Sequence, residues 1–398
     1  MSKISITTLG NLIEFQRGYD LPKSNFVEGN VPVISSNGIL GYHNEYKVKG
    51  PGITIGRSGT VGLPHYIEEN FYPHNTSLYI KDFKGNNPKY IYYLLKTLGL
   101  NDRGSGSGVP TMNRNHLHPL KVSAHLDIQT QQQIASILST LDSKIALNNR
   151  INTELEAMAK TMYDYWFVQF DFPNAEGKPY KSSGGKMVWS EELKRKVPEG
   201  WEVKKLGEVA TIKAGGDKPA VISSEKTNEC PIPIFSNGIV NDGLYGYTNK
   251  AIINNQSVTI SARGTIGFCV LRNIPFLPII RLISLTPNFK GSAKYFYEAL
   301  THFIFENSGS VQQQLTVPQV QNIKILYPNE DALKMFDNIT SPMIDRIEII
   351  KEENQHLSSL RDWLLPMLMN GQVKVNSGYE GEAAHLMAAE QEEKYGEK

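Results

Sequence analysis

Residues 59–62 read GTVG, and residues 264–267 read GTIG at an offset of 205 positions. Further matches keep the same order along the chain, with offsets between 197 and 205, as insertions in loops would produce. They are Leu9-Gly10 with Leu206-Gly207, SNGI at 36–39 and again at 236–239, Lys89-Tyr90 with Lys294-Tyr295, Gly106-Ser107 with Gly309-Ser310, and residues 120–122 with 323–325. An ordered series of this kind predicts one structural module written twice.

Each copy has the pattern of a small α/β domain. Short apolar runs such as 31–35 and 53–55 lie between Gly, Asn and Pro residues, which is typical of strands and turns. Residues 90–98 and 295–305 have the spacing of short amphipathic helices. The length of 398 residues also exceeds what one compact core usually holds, so more than one domain is expected.

A long helix is predicted after each copy. No Pro or Gly occurs between Asp127 and Asp171, and apolar residues recur in alternating steps of four and three, the heptad pattern of a coiled coil. Asn148, Asn152 and Asn354 interrupt the apolar seams. A buried Asn would fix the register of the helices, whereas an exposed one would have no such role. The residues expected to pack are Leu138, Leu141, Ile145, Asn152 and Leu155 in the first helix and Met343, Ile347, Asn354, Leu357 and Leu364 in the second.

Two helices with narrow apolar seams need partners. The simplest arrangement packs them antiparallel, with the globular copies at opposite ends, and pairing between chains is the alternative. Pro342 and Pro366 predict breaks or kinks in the second helix. The predicted division is 1–125 and 201–328 for the globular copies, 126–170 and 329–375 for the helices, 171–200 for a linker, and 376–398 for an acidic, disordered tail.

Basic charge is concentrated in the globular copies. The net charge is +5 over residues 1–125 and again over 171–328, and it is negative in both helices and the tail. Phosphate binding needs a local positive potential, so the total of +1 permits DNA binding. The sequence shows neither a long apolar run nor a secretory signal, and it has two cysteines, too few for a disulfide framework. No membrane association and a cytoplasmic location are therefore expected.

Familiar catalytic motifs are missing from the sequence. It contains no G-x-x-x-x-G-K-[ST] phosphate loop, no H-E-x-x-H and no cysteine pair for zinc. Glu176 and Lys178 have the E-x-K spacing of a nuclease metal site, with Asp171 as the upstream acid, but their Gly, Pro and Ser neighbours favour a solvated loop. Residues 104–108, GSGSG, could bind phosphate through backbone N–H groups or form a plain flexible turn.

Polar side chains at matched turns differ between the copies. Arg, Asn and Gln can form two hydrogen bonds with a base edge in the major groove, although each could also be an ordinary surface group. Two similar domains with different polar side chains at their turns would be suited to binding two different DNA sequences. The expected DNA contacts are Asn37, Arg57, Ser58, Thr60, Arg103, Asn113, Arg114 and His116 in the first copy, and Asn237, Arg263, Thr265, Gln312, Gln313, Gln314 and Thr316 in the second.

Three segments resemble one family, the specificity (S) subunits of type I restriction-modification systems. Residues 170–203, FDFPNAEGKPYKSSGGKMVWSEELKRKVPEGWEV, resemble the linker of that family. Residues 134–167, IASILSTLDSKIALNNRINTELEAMAKTMYDYWF, resemble its central conserved region, and residues 360–373, LRDWLLPMLMNGQV, resemble its distal conserved region. The resemblance covers almost all of residues 1–375. Its linker and helix motifs are specific, and its recognition-domain motifs are looser.

The resemblance implies an α/β (α+β) fold in which two similar target recognition domains are joined by two long, roughly antiparallel coiled-coil helices in a pseudo-twofold repeat. Each domain would bind one half of a bipartite double-stranded DNA target. The helices would set the spacer and dock two modification (methyltransferase) subunits, and restriction (translocase and nuclease) subunits would join the complex. The chain would be non-catalytic and bind no metal, with S-adenosylmethionine, ATP and Mg on partner subunits. A protein-binding scaffold, or a nuclease using Glu176 and Lys178, is the alternative function.

Overall fold

The computed structural model describes residues 4–103, 111–303, 305, 314–373 and 375. The chain divides into two compact units, which we call unit 1 (residues 1–148 with 352–398) and unit 2 (residues 149–351). Each unit contains one globular copy and a part of both long helices. The predicted tail, 376–398, and the GSGSG stretch lie outside the described residues.

The described residues of the globular part of unit 1 form three antiparallel or mixed sheets. A four-stranded sheet has the order β2-β8-β5-β6, a three-stranded sheet has the order β4-β3-β7, and β1 pairs with β9. The elements are β1 (Ile4–Thr8), α1 (Leu9–Leu12), β2 (Glu14–Arg17), β3 (Val31–Ser35), β4 (Gly38–His43), β5 (Gly52–Gly56), β6 (Pro64–Ile67), β7 (Tyr72–Pro73), β8 (Ser77–Asp82), α2 (Pro88–Thr97), α3 (Arg114–Leu117) and β9 (Lys121–His125), with 3-10 turns at Lys23–Asn25 and Leu100–Arg103.

The first long helix, α4 (Ile128–Tyr163), continues into a π-helical turn at Asp164–Val168. A β-hairpin of β10 (Met187–Ser190) and β11 (Arg195–Pro198) follows. The predicted linker is therefore folded, because its aromatic residues pack. The Phe172 ring stacks on Tyr180 at 4.6 Å and on Trp201 at 5.0 Å between centroids.

The globular part of unit 2 repeats unit 1 element by element. Its sheets have the orders β13-β19-β16-β17, β15-β14-β18 and β12-β20. The one-module-written-twice prediction and the fold class are confirmed by this shared topology. The elements are β12 (Glu202–Lys205), α5 (Leu206–Val209), β13 (Ala210–Ala214), β14 (Ile232–Phe235), β15 (Leu244–Thr248), β16 (Ser257–Ile260), β17 (Cys269–Arg272), β18 (Leu277–Pro278), β19 (Ile283–Pro287), α6 (Ala293–Thr301), α7 (Val317–Gln321) and β20 (Lys324–Tyr327), with a 3-10 turn at Val240–Gly243. The second long helix, α8 (Glu330–Met369), follows β20, and its residues from 352 onward belong to unit 1.

Equivalent N-caps start the two long helices. The Asp127 carboxylate accepts hydrogen bonds from the N–H and hydroxyl of Thr130 at 2.9 and 2.7 Å. The Asn329 side chain accepts one from the N–H of Ala332 at 3.0 Å. Such caps satisfy N–H groups that a helix leaves free. The two caps, at residues 127 and 329, relate α4 to α8 by an offset of 202.

The second long helix runs through Pro342 and Pro366 without a break, so the breaks predicted at these two prolines are wrong.

The long helices pair within the chain. In unit 1, Arg361 Nη1 donates to Asp142 Oδ1 at 2.8 Å. Six residues further along α4, Asn148 Nδ2 donates to Glu353 Oε2 at 2.8 Å and to Asn354 Oδ1 at 2.9 Å. Numbers that rise in one helix fall in the other, which shows antiparallel packing. Pairing between chains is not needed to cover these seams.

Seam residues join the globular cores. Leu138 and Leu368 are buried in the unit 1 core with Phe15, Ile55 and Tyr90. In unit 2, Phe336 of α8 lies in the core with Phe167 and Phe296. Among the residues predicted to pack, Leu138, Ile347 and Asn152 are buried and the others are half-buried. Asn152 Oδ1 has no hydrogen-bond partner among the described residues. No helix in the described ranges is long and apolar enough to cross a membrane.

Candidate nucleic-acid interface

Arg57 joins three turns of unit 1. Its N–H donates to the carbonyl of Thr76 at 2.8 Å, in the turn between β7 and β8. Its carbonyl accepts the N–H of Met112 at 2.8 Å, just before α3. The backbone of Arg57 is therefore held from both sides, while its side chain is half-buried and its Nη1 donates to the Asn75 carbonyl at 3.4 Å.

A cleft of about 590 Å³ lies over these turns. Among the described residues that line it, Arg17, Arg57 and Arg114 carry positive charges, and Asp20, 3.5 Å from Arg17, carries the one negative charge. The excess of guanidinium groups gives the cleft a positive potential that favours an anionic ligand. Asn113 also lines it, and its Oδ1 caps α3 by accepting the N–H of Asn115 at 3.0 Å.

The equivalent turns of unit 2 have the same backbone and different side chains. The Ala262 carbonyl accepts the N–H of Leu315 at 2.9 Å, as Arg57 does from Met112. Ala262 is thus the counterpart of Arg57. By the same alignment Arg263 stands at the place of Ser58, Gln314 at that of Thr111, and Thr316 at that of Asn113. In unit 2 the arginine is moved by one position along the turn.

The structure brings two predicted residues of unit 2 together. Arg263 Nε and Nη2 donate to Gln314 Oε1 at 3.2 and 2.8 Å, and both residues are exposed. Two other predicted residues instead hold turns in place. Asn237 accepts the Ala262 N–H at 2.7 Å and donates to the Ile280 carbonyl at 2.5 Å. Thr316 caps α7 in a capping box with Gln319.

The remaining predicted residues are at the surface or outside the described set. Asn37, Thr60, Arg114, His116 and Thr265 are exposed, and Ser58 is half-buried and pairs with Thr111 through a β-bridge. The backbone of Arg103 belongs to a 3-10 turn, and its side chain is not described. Gln312 and Gln313 lie outside the described residues.

Two arginines near these turns were missed by sequence reasoning. Arg17 lines the unit 1 cleft from the end of β2. Arg281 is exposed on the turn before β19, and its N–H donates to the Gly215 carbonyl at 3.2 Å. Ile280 and Arg281 have φ angles of +51° and +64°, a left-handed conformation that costs non-glycine residues energy and is typical of functional turns. Neither Arg17 nor Arg281 has an arginine at the equivalent position of the other copy, so comparing the two copies of the sequence could not find them.

His118, after α3, holds this surface of unit 1 in place. Its Nε2 accepts the N–H of Phe15 at 3.0 Å, which requires a neutral ring with a free lone pair on Nε2. Burial lowers the pKa of His118, and the positive charges of Lys84 and Arg114 lower it further. The histidine is therefore a neutral acceptor that joins α3 to β2.

The nuclease arrangement is not assembled. Asn174 Oδ1 accepts the N–H groups of Glu176 and Lys178 at 3.0 and 2.9 Å, which makes a tight exposed turn. The Asp171 carboxylate is occupied by the N–H and hydroxyl of Ser182 at 2.7 and 2.6 Å. Within the described ranges no group of three or more His, Cys, Asp or Glu side chains could hold a metal ion.

Known proteins match both copies. The family described as Type I restriction modification DNA specificity domain matches residues 1–157 and 198–359. The chain belongs to this family. The family membership predicted from the linker and helix motifs is thereby confirmed, and each matched range contains one globular copy.

Relatives of this specificity-domain family match over most of their length. The type I restriction enzyme MjaIX specificity subunit of Methanocaldococcus jannaschii is 25% identical over 72% of this chain and 69% of its own. A putative type I specificity subunit of Mycoplasma pneumoniae is 25% identical over 89% and 96%. The crystal structure of the type I S subunit from M. genitalium has the same fold, with a TM-score of 0.65, 18% identity and coverage of 92% and 96%.

Proposed function

We propose that the chain is the DNA-specificity subunit of a type I restriction-modification complex, with one half of a bipartite target bound by each unit. This proposal rests on one observation: the two units share the same sheets but carry different side chains on the equivalent turns. The sheets of the two units repeat strand by strand. At equivalent positions, however, unit 1 has Arg57 and Ser58 where unit 2 has Ala262 and Arg263. Such a pair of domains would dock on DNA alike and contact different bases.

The chemistry of the turns supports DNA as the ligand. Guanidinium and amide groups donate hydrogen bonds to base edges and phosphates. Three arginines line one cleft in unit 1, and unit 2 exposes Arg263 and Arg281 on neighbouring turns tied together by Asn237. A protein-binding scaffold would more often expose aromatic anchors with an apolar centre.

We further propose that the long helices dock two copies of one partner, the methyltransferase subunit. Exposed apolar residues recur at the helix offset of 202, which gives each unit the same three-residue pattern. The pairs are Ile137 with Ile339, Leu147 with Ile349, and Met158 with Leu360, with exposures from 36% to 56%. Repeated apolar positions provide two equivalent docking surfaces. Restriction subunits would join this core, with S-adenosylmethionine, ATP and Mg on the partners, as family membership supports.

Docking can be tested with one substitution on each helix. Leu147→Asp should weaken the binding of one methyltransferase copy, and Ile349→Asp should weaken the binding of the other, because each places a charge in an apolar contact. Native mass spectrometry of the complex counts the copies. Ser143→Asp, an exposed change on the same helix, is the control. Loss of both copies from one single variant would contradict two independent equivalent surfaces.

Exchange of one domain tests the recognition proposal. Replacing residues 1–125 with the corresponding domain of another family member should change one half of the methylated sequence and leave the other half and the spacer intact. A change in both halves would contradict two separate readers. Cleavage of DNA by the purified chain alone with magnesium, lost in Glu176→Ala, would instead support the nuclease alternative.

Insertion of residues tests the helices as a spacer. Because α4 and α8 are paired through Asp142–Arg361 and Asn148–Asn354, one heptad should be added to each helix, after residues 148 and 351. Seven residues add about 10.5 Å of helix, or about three base pairs of DNA. We expect the spacer in the methylated motif to grow by about that number. The same seven residues placed in the β10–β11 turn should leave it unchanged.

A further inference from the structure

Arg263 and Gln314 form one hydrogen-bonding unit on the surface of unit 2. Arg263 belongs to the turn after β16, and Gln314 lies just before α7, 51 positions away. Two guanidinium nitrogens, Nε and Nη2, donate to the single oxygen Oε1. An arginine has no acceptor, so the amide oxygen rather than the nitrogen must face it.

This contact decides which base the pair can read. A carbonyl oxygen has two lone pairs, and Arg263 uses both of those on Gln314 Oε1. Gln314 then presents only its N–H donors, and Arg263 presents only donors as well. Adenine requires a donor and an acceptor, which Gln normally supplies, whereas guanine presents two acceptors, N7 and O6. The pair therefore complements guanine and cannot complement adenine.

The backbone holds the pair ready. The N–H of Leu315 donates to the Ala262 carbonyl at 2.9 Å, which joins the neighbours of the two residues directly. Ala262 is 0% exposed and Leu315 is 7% exposed, so buried anchors flank both exposed side chains. Asn237 fixes the same loop from behind by accepting the Ala262 N–H. Ordering before binding lowers the entropy that recognition would otherwise cost.

We propose that the Arg263–Gln314 pair reads a guanine in the half-site bound by unit 2, an inference that rests on the proposed function. Phosphate oxygens are acceptors too, but phosphates are the same in both half-sites and bases differ. Unit 1 has Ser58 and Thr111 at these two positions. A contact kept in one copy and absent from the other distinguishes sequences, which favours the base over the backbone.

The test compares methylated motifs in genomes of cells expressing the whole complex with the wild-type chain or a variant. Arg263→Ser with Gln314→Thr introduces the residues that unit 1 carries on the same frame. Arg263→Lys keeps the charge but loses the planar fork that meets two acceptors. Lys290→Ser removes an equal charge beyond the far end of β19 and is the control.

We expect both Arg263 variants to relax one guanine position in one half-site, by on the order of 5- to 150-fold in discrimination between bases. The other half-site and the control should be unchanged. If the double variant does not fold, methylation disappears altogether, and Arg263→Lys, an exposed conservative change, decides the matter.

Three results would overturn the inference. They are an unchanged motif in Arg263→Lys, relaxation at an adenine or thymine position, and a uniform loss of methylation with the motif intact, which indicates a phosphate contact. Failure of the proposed function is visible separately, because the wild-type chain would then give no bipartite motif.

Discussion

Replacing Asp142 with alanine tests how the long helices are joined to the globular part of unit 1. The Tyr93 hydroxyl donates to Asp142 Oδ2 at 2.7 Å, and Arg361 Nη1 donates to Asp142 Oδ1 at 2.8 Å. These residues lie on α2, α4 and α8, so one carboxylate connects three helices of the same unit. Burial and the bond to Asp142 both raise the pKa of Tyr93, which keeps its hydroxyl protonated as a donor.

The loss of unfolding free energy in Asp142→Ala depends on the hydrogen-bonding groups that the substitution leaves unpaired. A hydrogen bond to a charged group contributes about 1.5–3 kcal/mol, and an unpaired buried donor costs about 1–3 kcal/mol. Tyr93 is 2% exposed and would lose its acceptor. The Arg361 and Asp142 side chains are 21% and 30% exposed, so water screens their ion pair and its share is small. We expect Asp142→Ala to lower the free energy of unfolding by about 2–3 kcal/mol.

A double-mutant cycle measures this connection. Urea unfolding of the wild type, Asp142→Ala, Tyr93→Phe and the double variant gives the four free energies. Tyr93→Phe should cost about 1.5–3 kcal/mol, the contribution of a hydrogen bond to a charged group. The double variant should cost no more than Asp142→Ala alone, because the hydroxyl that would be left unpaired is gone. Losses that add to within about 0.5 kcal/mol would refute the bridging role. Hydrogen exchange in α2 assigns the loss to unit 1.

Two further predictions concern the turns of unit 1. His118 accepts the Phe15 N–H and has a lowered pKa in the folded state, chiefly through burial, so its contribution to stability is present above about pH 6.5 and lost as the pH falls below it. Thermal denaturation across this range should show that slope, and His118→Gln should flatten it; an equal slope in the variant would contradict the assignment. Gly62→Ala should cost about 2–5 kcal/mol in calorimetry, because φ is +79° and a Cβ would lie 2.4 Å from the Leu100 carbonyl carbon. Gly59→Ala, with φ of +85° and no atom within 3.4 Å, should cost only about 1–2 kcal/mol, and equal losses would show that the clash is relieved.

The repeat could be predicted because its motif is dictated by the backbone. Gly59 and Gly62 have φ of +85° and +79°, and their counterparts Gly264 and Gly267 have +70° and +82°. Only glycine adopts such angles readily, so both copies have glycine at these positions. Comparing the sequence with itself therefore finds the repeated motif. The heptad seams were visible for a similar reason, since burial repeats at helical spacing.

The site could be predicted only as a region. The bond between Arg263 and Gln314 spans 51 positions, and no local pattern encodes it. Arg17 and Arg281 are single exposed residues without counterparts in the other copy. Asn237 and Thr316 had the right chemistry for DNA contacts, but their side chains are used to hold turns. Such roles depend on which loops fold beside one another.

The linker predicted at residues 171–200 is more ordered than its composition indicates. Its Gly, Pro and Ser residues favoured a solvated loop around Glu176 and Lys178, which form an exposed turn. Phe172 nevertheless stacks on Tyr180 and on Trp201, the residue that follows the linker, and β10 and β11 form a hairpin. Three aromatic residues spread over 30 positions do not stand out in composition. Their packing becomes apparent only when the chain is folded.

The most direct test that each globular copy recognises its own half-site is a chain that carries the first globular copy in both positions. Residues 201–328 are replaced by residues 1–125, and methylated bases are mapped across the genome of cells expressing the complex. We expect a bipartite motif whose two halves carry the same bases, those of the half-site that unit 1 reads in the wild type. A second half-site that keeps its wild-type bases after the replacement would contradict it.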